Sequence, residues 1–278
     1  QRRGREARRA ARSARSAVSV PYITRNLPIT EVLSEEGLSI IEHNAETLME
    51  EIGIEFRDYP SALERLRGAG CDVRGERVHF PRGLARQLVA TVPSDYVQHA
   101  RNPERSVHIG GRDTVFAPVY GSPFVHDLDQ GRRYGTIEDF RNFVKLAYQS
   151  PYMHHSGGTV CEPVDLPVNK RHLDMVAAHI RFSDKPFMGS VTTAARAADS
   201  IEMARLVFGE AFVDRHCVIL GNVNVNSPLL LDGEAARVIR TYAAANQAAV
   251  CVPFILGGAM GPVTTAGALL PAPLETVG

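Results

Sequence analysis

Tryptophan is missing from the chain, cysteine occurs four times, and aromatic residues make up only 7%. No uninterrupted apolar run approaches the roughly 18 residues of a membrane helix. The cysteines, Cys71, Cys161, Cys217 and Cys251, stand far apart with no CxxC pair. A zinc ribbon or a thioredoxin-like redox motif is therefore excluded. The nucleophile elbow GxSxG, the zinc helix HExxH, the P-loop and the kinase signatures are absent too. Net charge is also lacking, since 31 Lys and Arg balance 31 Asp and Glu. That balance hides an asymmetry: seven Arg against one acid, Glu6, give the first fifteen residues +6 and leave −6 on the rest. A mildly acidic body makes wholesale nucleic-acid binding a poor expectation.

What is present describes a globular protein. The chain has 278 residues, 44% hydrophobic and 22% charged, with a mean hydropathy of −0.12. That is too apolar for a disordered chain and long enough for one large domain or two ordinary ones. The Arg-rich opening, QRRGREARRAARSARSAVSV, lacks the apolar stretch of a secretory signal. It reads as a solvated basic arm over 1–20, with an anionic-surface arm or an organelle transit peptide as alternatives. Cys217 and Cys251 lie in apolar, strand-like runs, and free buried thiols fit a reducing cytoplasm.

Residues 21–111 read as an α+β preface. Leu38, Ile41, Ala45, Leu48 and Met49 recur at helical spacing, with acids at the start and Gly53 as a stop. Further helices are expected over 60–68 and 81–90, with a hairpin between them closed at Arg74-Gly75. From 112 onward the texture becomes alternating. Thr136 and Asp139 form a near capping box for a helix running to 148. Strands are expected over 153–161, 187–192, 217–225 and 250–256, with helices over 168–182, 194–208 and 233–246. With one more strand near 115–119 this makes about five βα units.

Such alternation predicts right-handed crossovers and a parallel sheet, and a repeat of roughly 31 residues is that of a (β/α)8 TIM-barrel type. Eight units are not reached, so the barrel reads as incomplete, and an open doubly wound sheet is the structural alternative. No GxGxxG follows the first strand, which argues against that alternative.

Ligands in such folds meet the carboxyl ends of the strands. That rule selects Glu162, Ser190, Asn222, Asn224 and Asn226 as substrate-binding candidates, and His154, near the start of its strand, joins them as a polar pocket group. The three amides of GNVNVNSP alternate with valine and so share one side of an extended strand. They read as a polar pocket wall, with Asx-type turns as the structural alternative. His154 and His155 face opposite ways on a strand. Neither has metal-ligand spacing with Cys161 or Glu162, so no metal site is expected. His172 and His179 read as surface or packing residues of a helix.

Five segments occur in a telling order: IIEHNAETLMEEIGIEFRDYPSALERLRGAGCDV, GTIEDFRNFVKLAYQSPYMHHSGGTVCEPVDLP, DKPFMGSVTT, GNVNVNSPLLLD and PFILGGAMGPVTTAGAL. Together they resemble the trimethylamine methyltransferase family over about 28–269. The resemblance implies a TIM-barrel enzyme that demethylates trimethylamine or a quaternary amine such as glycine betaine. Its methyl acceptor is the Co(I) of cobalamin on a separate corrinoid protein, and some members place a pyrrolysine in the pocket. The family continues its helix where this chain has PAPLETVG, so a truncated and inactive product is one expectation. A non-catalytic protein binding a small cation or osmolyte, or a decayed pseudoenzyme, stays open, as does a homo-oligomer. A quaternary ammonium accepts no hydrogen bond and is held by aromatic faces and dipoles. Tyr120, Phe124 and Tyr152 are the nearby aromatics, short of a full cage.

Overall fold

The computed structural model describes residues 20–226 and 228–269. The basic arm up to residue 19 and the closing PAPLETVG lie outside the described residues.

The chain opens with β1 (Ile23–Thr24) and helix α1 (Glu35–Glu51). Ser34 caps α1, its hydroxyl accepting from Gly37 N. Glu35 and Glu36 sit in the first turn, where acids complement the helix dipole. The stop at Gly53 holds: its φ is +73°, and a Cβ there would lie 2.5 Å from Val78 O. There follow β2 (Ile54–Phe56), α2 (Pro60–Gly68), β3 (Asp72–Arg74), β4 (Arg77–His79) and α3 (Leu84–Val89). The expected hairpin is β3–β4, with its turn one residue later, on Gly75 and Glu76.

Two antiparallel ribbons come next. They are β5 (Asp95–Gln98) with β6 (Val107–Gly110), and, after β7 (Asp113–Thr114), β8 (Phe124–Asp127) with β9 (Gly131–Tyr134). β7 pairs with β1. Thr136 then caps α4 (Ile137–Gln149) in a full capping box with Asp139, as the spacing predicts.

The α/β part contains α5 (Arg171–Phe182), β10 (Phe187–Met188), α6 (Ala194–Phe208), α7 (Glu210–Val213), β11 (Ile219–Val225), β12 (Leu230–Leu231), α8 (Gly233–Ala244) and β13 (Ala248–Pro253). Strands β10, β11 and β13 form a parallel sheet in that order. Consecutive strands are neighbours, with helices between them, and no closed barrel forms among the described residues.

Two expected strands are not strands. The stretch 153–161 runs beside β10, where Ser156 N donates to Pro186 O at 2.8 Å and Met188 N to Gly157 O at 2.9 Å. Gly157 has a φ of +89°, and its N–H is taken by the His155 ring, which breaks the ladder. The stretch 115–119 contributes isolated bonds, Phe116 O accepting from His154 N and His155 N, and Pro118 brings no donor. Regular pairing in 187–192 also stops at Met188.

The larger core unites the preface with the α/β part. Phe56, Val78 and Phe80 bury together with Ile219, Val223 and Tyr242. A smaller cluster gathers Val125, Phe140, Val144 and Cys161 under α4 and α5. Cys217 and Cys251, whose apolar runs led to an expectation of burial, are only half-buried, whereas Cys71 and Cys161 are buried, and all four thiols are free.

Candidate functional site

The alternation of GNVNVN is realised in β11. Val223 and Val225 point into the core, and Asn222, Asn224 and Asn226 turn to the opposite side, half-buried to exposed. Their side chains make no hydrogen bond to any described residue. Met188 of β10 pairs with Leu220 of β11, and two residues on in each chain stand Ser190 and Asn222.

Beside this face lies a cavity of about 60 Å3. Three of the expected residues, Tyr120, Glu162 and Ser190, line it together with Arg171, Thr192 and Arg196. Asn222, Asn224 and Asn226 are not among its walls. Tyr120 is held over Gly158, where a Cβ would come within 2.7 Å of the ring and 2.9 Å of Met188 Cβ. Burial raises the Tyr120 phenol above its ordinary range, and the Glu162 charge adds to this. Glu162 accepts a close hydrogen bond from Arg171 Nη1. The Ser190 hydroxyl meets Thr192 Oγ1 at 3.3 Å, and its backbone is fixed by Ser200 and by the Tyr242 hydroxyl.

His172 and His179 take the packing role rather than the surface one, and His154 has no place in this cavity. His154 is 2% exposed. It stacks on Phe116, and its Nδ1 accepts from Phe116 N at 2.9 Å. Burial, with the Lys185 charge nearby, pushes its pKa down. His155 donates from Nε2 to Gln98 Oε1 and accepts Gly157 N on Nδ1. His179 donates from Nε2 to Gly158 O, so its Nδ1 accepts the Ser156 hydroxyl. Both rings are neutral, burial pushing them down to about 3 and about 4. His172 is buried against Asp199, 2.9 Å from Nε2.

Arg171 and Arg196 were missed in the sequence. A signal for them existed: each falls in the first turn of its helix, α5 or α6, where a cation opposes the helix dipole. Lys185 was missed as well. Its Nζ donates to Ala147 O, Ser150 O and Met153 O, which closes the end of α4, and burial lowers it to about 8.

No serine or cysteine lining the cavity is paired with a base. Among the described residues no group of three or more His, Cys, Asp and Glu is placed to share a metal ion. No helix among them is long and apolar enough to cross a membrane.

An α/β scaffold with a polar strand-end site and no nucleophile of its own suits a group-transfer protein whose substrates react with one another. The chain belongs to the trimethylamine methyltransferase family, whose model matches residues 1–277. It is 41% identical over 244 residues to the glycine betaine methyltransferase of Desulfitobacterium hafniense (strain Y51), covering 87% of this chain and 51% of that protein. The chain thus spans about half the length of that curated relative.

Proposed function

We propose that the chain holds the methylated amine in a methyltransferase that passes one methyl group from a quaternary or tertiary amine to a corrinoid on a separate protein. Glycine betaine is the favoured donor, because the relative named for that substrate is 41% identical over most of this chain. The supporting feature of the site is the row of three asparagines on the open side of β11, beside the cavity at Ser190. Amide oxygens offer dipoles to a cation without a proton to lose, and the Tyr120 ring adds an aromatic surface.

The work asked of these residues is positional. A corrinoid docked beside the site would supply the methyl acceptor, and a quaternary or protonated tertiary amine that gives up a methyl group with the C–N electron pair kept on nitrogen leaves as a neutral amine. Asparagine dipoles that favour the cationic substrate favour the neutral product less, which helps release. A general base has no part in this, in keeping with neutral, fully engaged His155 and His179.

The parallel order β10-β11-β13 with intervening helices supports a barrel-type architecture over 112–278, preceded by an α+β unit over 21–111. Four free cysteines suit a cytoplasmic setting.

The test is methyl transfer from glycine betaine and trimethylamine to cob(I)alamin, free and on a corrinoid protein, followed by the cobalamin spectrum. Binding is read in parallel by calorimetry. Asn222→Ala and Asn226→Ala are expected to weaken binding with the melting temperature nearly unchanged. Unchanged binding, or a large parallel loss of stability, would return the amides to a structural role. Tight binding without transfer would favour a sequestering protein.

A further inference from the structure

Two arginines stand where a helix least favours them, and both border one cavity. Arg171 is the first residue of α5, which begins without a side-chain cap. Arg196 lies in the first turn of α6. Cations belong at the other end of a helix, so both positions are frustrated unless an anion answers them. Arg171 is partly answered: Nη1 bonds Glu162, yet Nε is buried with no partner. Arg196 pairs with no carboxylate among the described residues, and its Nη1 donates only to the Thr192 hydroxyl, at 2.9 Å.

A third group on the wall is unsatisfied as well. The His172 side chain is 7% exposed and bonds Asp199 through Nε2, while its buried Nδ1 has no partner. Buried polar atoms are ordinarily paired, and two unpaired ones, Arg171 Nε and His172 Nδ1, beside the Arg196 charge that no carboxylate among the described residues answers, point to a missing occupant. The charge inside is positive, two guanidiniums against one carboxylate. The hydroxyls of Tyr120, Ser190 and Thr192 add donors. A volume of about 60 Å3 admits a few waters or one small charged group, not a large ligand.

We propose that this cavity is a carboxylate subsite, with Arg196 as the residue that selects a carboxylate-bearing amine over one that has none. The inference rests on the functional reading above and sharpens it. The carboxylate end of a betaine enters between α5 and α6, and the ammonium end is left beside Asn222, next to Ser190. Arg171, already engaged by Glu162, shapes the wall, and Arg196 supplies the uncompensated charge. A planar guanidinium suits a carboxylate better than an ammonium does.

The experiment compares glycine betaine, choline and acetate by calorimetry on the full chain, in wild type, Arg196→Gln and Arg196→Lys. Choline carries the same trimethylammonium group with a hydroxyl in place of the carboxylate. Wild type is expected to prefer glycine betaine over choline by at least tenfold. Arg196→Gln should abolish that preference while choline binding stays within twofold, and Arg196→Lys should restore part of it. Equal affinity for the two in wild type, or a preference that survives Arg196→Gln, overturns the subsite and leaves the functional reading standing. Acetate held by wild type and lost in Arg196→Gln, with no quaternary amine bound, keeps the anion site and overturns the functional reading. If none of the three ligands binds, both are overturned.

Discussion

Gln247 offers the sharpest test of how the α/β part is held together. It follows α8, is 5% exposed, and uses both ends of its amide. The oxygen accepts from Val218 N at 2.8 Å and Ile219 N at 3.2 Å, and the nitrogen donates to Val213 O, His216 O and Ala245 O. One side chain thereby satisfies the end of α7, the start of β11 and the end of α8. Gln247→Met keeps the volume, so the cavity term is small. It strands the N–H groups of Val218 and Ile219, both 0% exposed. Each orphaned buried donor costs about 1–3 kcal/mol, giving about 4 kcal/mol for the pair. With a urea slope of about 2.5 kcal/mol/M the midpoint falls by about 1.6 M. Far-UV circular dichroism against urea measures this directly. A fall below about 0.3 M at unchanged slope would refute the reasoning, since it would mean that water or a backbone shift meets both donors at little cost.

Thr136→Ala removes the hydroxyl of the capping box and should lower stability by about 1 kcal/mol in the same assay. His155 and His179 are held below their ordinary range, so the unfolded chain takes up protons that the folded one refuses. Their contribution is complete above about pH 6.5 and is lost as the pH falls toward 4. For His179 alone this amounts to about 3 kcal/mol at pH 4, to be read from urea midpoints across that range. Asp139, drawn well below the carboxylate range by Arg133, adds a second loss only at still lower pH. Gly158→Ala would drive a methyl group into Tyr120 and Met188, and is expected to weaken amine binding measurably in calorimetry.

Helices that carry local signals were legible in the sequence: the Thr136–Asp139 box, the acidic start of α1 and the stop at Gly53. The valine–asparagine alternation of β11 was equally legible, because a period of two has one structural meaning when one face is buried. The stretch 153–161 was not. Its apolar and small residues resemble a strand, but the Gly157 backbone and the His155 ring divert the ladder, and hydropathy does not register that. Of the cavity, Glu162 and Ser190 were found by the strand-end rule and Tyr120 as an aromatic for an ammonium group, although they meet in a cavity that the amides do not line. His154, at the amino end of its expected stretch, went elsewhere, since the hydrogen bond from Phe116 N is a long-range event. Arg171 and Arg196 stood near the starts of helices the sequence already offered, but a cation at a helix start does not by itself mark a site, and only the cavity brings the two together.

The short strand β12, Leu230–Leu231, joins the preface sheet beside β2, in parallel register with Glu55 and Phe56. A strand of the opening unit therefore waits for a neighbour about 175 residues later in the chain. At a synthesis rate of about 5–20 residues per second, the β2 edge stays uncovered for roughly 9–35 s on the ribosome. During that interval Phe56 and Ile54 are exposed to chaperones and to other nascent chains. Yield in the cell is thus expected to respond to translation speed between residues 56 and 231, independently of how stable the finished protein is.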